Sequence, residues 1–245
     1  MKIYNNEVFN DQNIKYGFTN RAGGYSEKPF KSLNLAFHVE DDPDKVKLNR
    51  KALSEQVEFD EEKLTWASQV HGDNIFVLKD KNKSGFIGEY DGIITNLKNI
   101  PIMTLYADCI PILLHDPVKN VIGTIHAGRK GTFLEIASKA VLLMHEEFSS
   151  NPKDIKALIG PGICKEDYLV SDELIKEFND KFPDLVPRDS HNLDLKLINK
   201  YILEKKGITN IYDMEICTSC DNVNFFSFRQ EKGVTGRFAA FIMLK

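Results

Sequence analysis

A chain of 245 residues with 42% hydrophobic, 28% charged and 10% aromatic side chains can bury a sizeable core, which excludes a fibrous, peptide-like or mainly disordered molecule. The 32 Lys and Arg against 36 Asp and Glu leave a formal charge of −4, which argues against a protein that wraps nucleic acid or coats an acidic membrane. Four cysteines are too few for a disulfide scaffold, the start Met1-Lys2-Ile3-Tyr4-Asn5-Asn6-Glu7 lacks the apolar run of a signal peptide, and no stretch approaches a membrane span. The expectation is a cytoplasmic protein with reduced thiols.

Asp42-Pro43 followed by Val46, Leu48, Leu53 and Val57 predicts a capped helix with Pro43 at its first position. From Leu64 onward, short β-rich runs are punctuated by turn residues at 64–67, 74–78, 92–95, 102–106, 110–115 and 121–125. Several are apolar on consecutive residues, the pattern of strands buried on both faces, so helices are expected to cover the sheet. Apolar spacing predicts a long helix over 131–148; a strand at 155–159 leads into the turn Gly160-Pro161-Gly162. Helices are expected at 171–182, capped by Ser171, and at 193–205, with strands again at 224–228 and 238–244. This order predicts an α+β, mixed α/β fold of layered mixed sheets flanked by helices, in a single domain over residues 1–245.

Three potential metal ligands sit in tight turns or at strand ends: His71 in Gln69-Val70-His71-Gly72, Cys109 in Ala107-Asp108-Cys109, and His126 in Ile125-His126-Ala127-Gly128. Imidazole and thiolate suit zinc or copper, and three protein ligands would leave a position open for water or substrate. Any one of them alone is as readily explained by packing. After His126, Gly128-Arg129-Lys130-Gly131 leads into the expected helix, where amides, glycines and two cations would favour an anion, although a solvated turn explains the same residues. Arg21, in Asn20-Arg21-Ala22-Gly23-Gly24, could clamp the same anion, and the loop Gly233-Val234-Thr235-Gly236-Arg237 could bring another cation. Cys217-Thr218-Ser219-Cys220 has C-x-x-C spacing but no second cysteine pair, and together with Cys164 it reads as structural.

In order along the chain, Phe18-Thr19-Asn20-Arg21, Ser32-Leu33-Asn34-Leu35, Gln69-Val70-His71-Gly72, Asp91-Gly92, Ala107-Asp108-Cys109, His126-Ala127-Gly128, Ile159-Gly160-Pro161-Gly162-Ile163 and Thr235-Gly236-Arg237 resemble the family long called multicopper polyphenol oxidase or laccase-like, also described as purine nucleoside phosphorylases of the YfiH and YlmD type. The resemblance implies a metal, usually zinc and sometimes copper, on His71, Cys109 and His126. It implies phosphorolysis of adenosine, inosine and methylthioadenosine to the free base and a ribose 1-phosphate, with accompanying adenosine deamination. The chain departs from the family's usual His-Ala-Gly-Trp-Arg-Gly by carrying Arg129-Lys130-Gly131 after Gly128. Asp108 is the expected proton carrier, and Arg21 with the turn Gly128, Arg129 and Lys130 the expected phosphate holder. Other readings of the same residues are a metal-free cysteine hydrolase with Cys109 as nucleophile and His126 as base, a copper-dependent phenol oxidase, and a zinc-stabilised interaction module. A single His-Cys-His set is too small for the several copper centres of an oxygen-reducing oxidase.

Overall fold

The apolar runs in the middle and at the end of the chain become strands because both of their faces are covered. In the computed structural model, which describes residues 1–245, the order is β1 (Ile3–Tyr4), β2 (Ile14–Thr19), α1 (Pro43–Val57), β3 (Thr65–Ser68), β4 (Ile75–Leu78), β5 (Phe86–Glu89), β6 (Gly92–Thr95), β7 (Ile102–Tyr106), β8 (Ile110–Asp116), β9 (Val121–Ala127), α2 (Arg129–Phe133), α3 (Ile136–Phe148), β10 (Lys156–Ile159), α4 (Asp172–Lys181), α5 (Leu195–Lys205), β11 (Asn210–Asp213) and β12 (Phe238–Leu244). Two six-stranded mixed sheets result, ordered β1-β2-β12-β7-β3-β5 and β11-β10-β8-β9-β6-β4.

Strand alternation assigns each side chain to a layer. In β7, Ile102 and Tyr106 enter a cluster between the sheets with Phe18, Ile122, Leu158 and Phe238. Met103 and Leu105 face the other way, against Leu33, Leu35 and Leu53 of the α1 side. In β8, Leu113 joins the inter-sheet cluster, whereas Ile110, Ile112 and Leu114 pack on Ala140 and Met144 of α3 and on Ile198 and Ile202 of α5. The mixed α/β layering is therefore as expected, but helices cover only the outer faces, and the two inner faces cover each other. Each fully buried Ile, Leu or Phe in these layers contributes about 1.5–3 kcal/mol. A buried polar link also crosses between the sheets: Thr104 on β7 pairs with Thr124 on β9 and with the Tyr106 hydroxyl, which donates to the Ile125 carbonyl. No helix is long and apolar enough to cross a membrane.

Asp42 and Ser171 cap α1 and α4 as the sequence predicts, each accepting a backbone N–H of the first turn. Other expectations are corrected. The helix over 131–148 is broken: α2 ends at Phe133, and α3 starts after Glu135, which takes φ 58°. No strand forms over 224–228. Phe225 and Phe226 are fully buried, but the amides of Asn224 and Phe225 both bond to the Asp221 carbonyl, so their apolar content fills the inter-sheet core from a series of turns. Strands β1, β2, β5 and β11, which carry no clear sequence signal, extend the sheets at or next to their edges.

Candidate active site

The hairpin register places two of the three expected ligands together. Ile110 lies opposite Ala127 and Pro111 opposite His126, so Cys109, just before β8, meets the end of β9. His71 arrives from the loop after β3 through one carboxylate. Asp91, fully buried immediately before β6, accepts the backbone N–H groups of Val70, His71 and Gly72 at 3.3, 2.9 and 2.7 Å. These three amides converge because His71 takes the left-handed φ of 59°. The same carboxylate lies 2.8 Å from His126 Nδ1, which fixes that ring's orientation and leaves Nε2 to face the cluster. Gln69 clamps the loop to β7, donating to the Leu105 carbonyl at 2.8 Å and accepting its amide at 2.7 Å.

The ligand atoms of His71, Cys109 and His126 all lie within 4.8 Å of one another. A Cβ added to Gly128 would stand 3.0 Å from His71 Cδ2 and 3.1 Å from Cys109 Sγ, so glycine leaves the space in which the donors converge. This soft, three-donor cradle fits a zinc-type ion with one open coordination position. Without a metal the Cys109 thiol and the His126 ring form an ion pair, and a metal would have to displace the imidazolium proton. Burial opposes ionisation of the Cys109 thiol, but the charges and hydrogen bonds of His126 and His71 outweigh it and bring its pKa down to about 6. Burial likewise opposes a charged His126, yet Cys109 and Asp91 lift its pKa to about 9. For Asp91 burial is outweighed by His126 and the amides of the loop, so its pKa lies below the ordinary carboxylate value.

The cluster opens into a cavity of about 500 Å³ lined by His38, Gln69, Asp108, Tyr168, Phe228 and the guanidinium groups of Arg129, Arg229 and Arg237, among others, a size suited to one small organic ligand. Arg229 sits 5.2 Å over the Tyr168 ring and donates to the carbonyls of Asp167 and Leu169. Arg237 donates from Nη1 to the Thr235 and Gly236 carbonyls. Burial and the nearby Arg237 and Arg50 push the His38 pKa down, which disfavours its charged form.

Asp108 lines this cavity with φ 87°, but its oxygens already accept the Thr218 hydroxyl and the Arg229 amide, both at 2.7 Å. Gly128 and Arg129 reach the site, whereas exposed Lys130 belongs to a neighbouring depression with Phe133 and Glu177. Arg21 is not brought there. Its guanidinium donates to the Lys31 and Asn222 carbonyls, pairs with Glu231 at 2.9 Å and stacks 4.4 Å over Phe226, so its acceptors are protein groups. Asp91 and Arg229 have no place in the sequence-based site. Asp91 was visible only as an Asp-Gly pair before a strand, and Arg229 lies in the segment expected to follow a strand. Cys164, Cys217 and Cys220 converge with Asp167, with all four ligand atoms within 4.8 Å.

A family model described as multi-copper polyphenol oxidoreductase laccase matches residues 15–245. Purine nucleoside phosphorylase YlmD of Bacillus subtilis is 34% identical over 96% of this chain and 90% of its own length. Among solved structures, YlmD of Geobacillus stearothermophilus superimposes with a TM-score of 0.88 at 34% identity, covering 96% of this chain and 93% of that one. The hypothetical protein YfiH of Bacillus licheniformis gives 0.87 at 35% identity, with 95% and 93% covered. A match running from β2 to the last residue, with relatives aligned over nearly their whole length, shows that this chain belongs to the multi-copper polyphenol oxidoreductase laccase family.

Proposed function

We propose that this protein is a purine nucleoside phosphorylase that converts adenosine, inosine or methylthioadenosine and phosphate into the free base and the corresponding ribose 1-phosphate. The observation that carries this reading is the meeting, in one cavity, of the three-donor cluster with three arginines and the rings of Tyr168 and Phe228, in a chain whose relative YlmD is named a purine nucleoside phosphorylase.

Phosphate needs cations, and Arg229 and Arg237, both held by backbone carbonyls, together with exposed Arg129 supply them where Arg21 does not. Arg237 is oriented in advance by its own loop carbonyls, so little ordering remains when the anion arrives. Tyr168 and Phe228 offer flat faces to the purine. In the reaction the C1′–N9 bond breaks and its electron pair leaves with the base, which takes up a proton, while a phosphate oxygen bonds to C1′. His38, whose charged form burial disfavours, can donate a ring N–H to sugar or phosphate. A zinc ion held by His71, Cys109 and His126 would supply a Lewis-acid position open to substrate or water. Asp91 holds two of these three residues in place, and Asp108, anchored by Thr218 and Arg229, is the carboxylate available for proton movement in the accompanying hydrolysis of adenosine to inosine and ammonia.

One observation favours a second reading. The Asp91, His126 and Cys109 side chains form a relay that could activate the thiol as a nucleophile. His71, on the same sulfur, favours the metal. The phenol oxidase of the family description would need several copper centres together, whereas the cavity holds one three-donor set, which suits one ion. Chromatographic product analysis of metal-analysed protein with adenosine and inosine tests the proposal. Free base released only with phosphate is the expected result. No free base, or inactivation by alkylation of metal-free, otherwise active protein, would overturn it.

A further inference from the structure

Cys164, Asp167, Cys217 and Cys220 lie outside the catalytic cavity and are unused by the proposed reaction. Cys164 caps, and Asp167 ends, one turn of helix over 165–167 after the Gly160-Pro161-Gly162 turn, and Cys217 and Cys220 frame a second turn 50 residues and more away. A parallel bridge between Gly162 and Cys217 joins the two segments, with the Thr218 amide bonding to the Gly162 carbonyl. A zinc ion about 2.3 Å from sulfur and about 2.0–2.2 Å from a carboxylate oxygen, in a tetrahedral site, sets its sulfurs about 3.8 Å apart and sulfur to oxygen about 3.5 Å. The Cys164 and Cys220 sulfurs are 3.9 Å apart, and the Asp167 carboxylate lies 3.6 Å from Cys217 Sγ and 3.2 Å from Cys220 Sγ. Independently of that spacing, two backbone amides aim at one sulfur: Cys164 and Cys220 N–H donate to Cys217 Sγ at 3.2 and 3.5 Å. Amides directed at sulfur stabilise a thiolate, the form that binds metal.

We propose that these four side chains form a second, closed metal site of Cys3Asp type that takes zinc, distinct from the open His71-Cys109-His126 cluster. A closed tetrahedron has no position for substrate, so the role is structural. It clips together the two turns that shape one wall of the catalytic cavity. Tyr168 follows Asp167 directly, Arg229 is held by the Asp167 and Leu169 carbonyls, and Thr218, inside the C-x-x-C turn, holds Asp108.

The test reads metal and not turnover, so its outcome is separate from that of the phosphorylase reading. The full chain, purified under reducing conditions, stripped with a chelator and dialysed, is titrated with zinc and with cobalt(II). Wild type is expected to bind about two ions per chain. The double substitution His71→Ala with Cys109→Ser retains about one, whose cobalt form shows tetrahedral ligand-field bands and a strong thiolate charge-transfer band. Cys217→Ser with Cys220→Ser also retains about one ion but loses most of the thiolate band. Should that variant fail to fold, Cys164→Ser alone serves, with the same loss of band expected. Zinc is also expected to raise amide protection over 162–169 and 217–220 in the His71→Ala, Cys109→Ser background. The proposal is overturned if that background binds no zinc, if its cobalt complex lacks thiolate charge transfer, or if peptide mapping finds Cys164 and Cys220 disulfide-linked in protein loaded with zinc.

Discussion

Asp91→Asn tests the central arrangement, because one carboxylate holds the His71 loop and the His126 ring together. Asp91 Oδ1 accepts the His71 amide and faces His126 Nδ1, and Oδ2 accepts the Gly72 and Val70 amides. An asparagine must place its NH2 on one side. On the Oδ2 side it confronts two N–H groups. On the Oδ1 side it confronts the His71 amide and drives His126 into the tautomer with its proton on Nε2, the atom needed for metal. Two hydrogen bonds to a charged acceptor are lost in the first orientation and one in the second, within a buried site, a destabilisation of about 3 kcal/mol, or a fall in melting temperature of about 6–12 °C for a chain of this size. Loss of an orienting partner also weakens a metal site by about 10–100-fold. The assay is chelator competition for zinc or cobalt at fixed pH, alongside thermal unfolding of the metal-free protein. A folded Asp91→Asn chain with wild-type metal affinity would refute the reasoning, since Asp91 would then position neither donor.

Gly128→Ala places a methyl about 3 Å from two donor residues, and overpacking of this kind costs about 1–3 kcal/mol; metal affinity should drop about tenfold or more while the fold persists by circular dichroism. Arg237→Ala should raise the phosphate KM by about tenfold or more, the value of a hydrogen bond to a charged partner. Arg21→Ala should leave that KM unchanged and instead lower stability by about 2–3 kcal/mol, because it removes a largely buried ion pair with Glu231. His115 is fully buried beside Phe9 with neither ring nitrogen bonded, and burial pushes its pKa from 6.5 down to about 4. The unfolded chain therefore takes up a proton first as pH falls, so stability present above pH 6.5 is lost between 6.5 and about 4, by at most about 3 kcal/mol. Denaturant unfolding at several pH values should show that slope in wild type and a smaller one in His115→Leu.

The layers of the fold were legible where the chemistry is local. Consecutive apolar residues at 110–115 and 238–244 announce strands covered on both sides, and Asp42-Pro43 and Ser171 announce helix starts. Phe225 and Phe226 show the limit: full burial in the inter-sheet core looks the same in sequence whether the backbone is extended or turning on Asp221. In the site, the three side chains that converge, His71, Cys109 and His126, were legible as candidates because each sits in a short motif at a strand end or in a tight turn. Arg21 was misassigned because a glycine-flanked arginine reads alike whether its acceptor is phosphate or, as here, the carbonyl of Asn222 and the carboxylate of Glu231, some 200 residues away. Cys164 stands 53 residues from its neighbour Cys217, beyond any spacing rule, and the fourth member of that cluster is a carboxylate, so a search for a second C-x-x-C pair passes over it.

Hairpin register explains why glycine follows His126-Ala127. With Ile110 opposite Ala127, the next position along each strand brings Cys109 against Gly128, and any side chain there would occupy the space into which the sulfur and both imidazoles converge. His126 is therefore set by the ladder of a buried sheet, and Cys109 directly adjoins that ladder at its Ile110–Ala127 end. The third donor rests on the six-residue loop between β3 and β4, which Asp91 and Gln69 hold by hydrogen bonds and Asp73 by an ion pair with Lys139. This asymmetry makes His71 the donor whose position responds to mutation. Substitutions that loosen the 70–72 loop should cost metal affinity before they cost global stability, whereas those in β8 or β9 should cost both together.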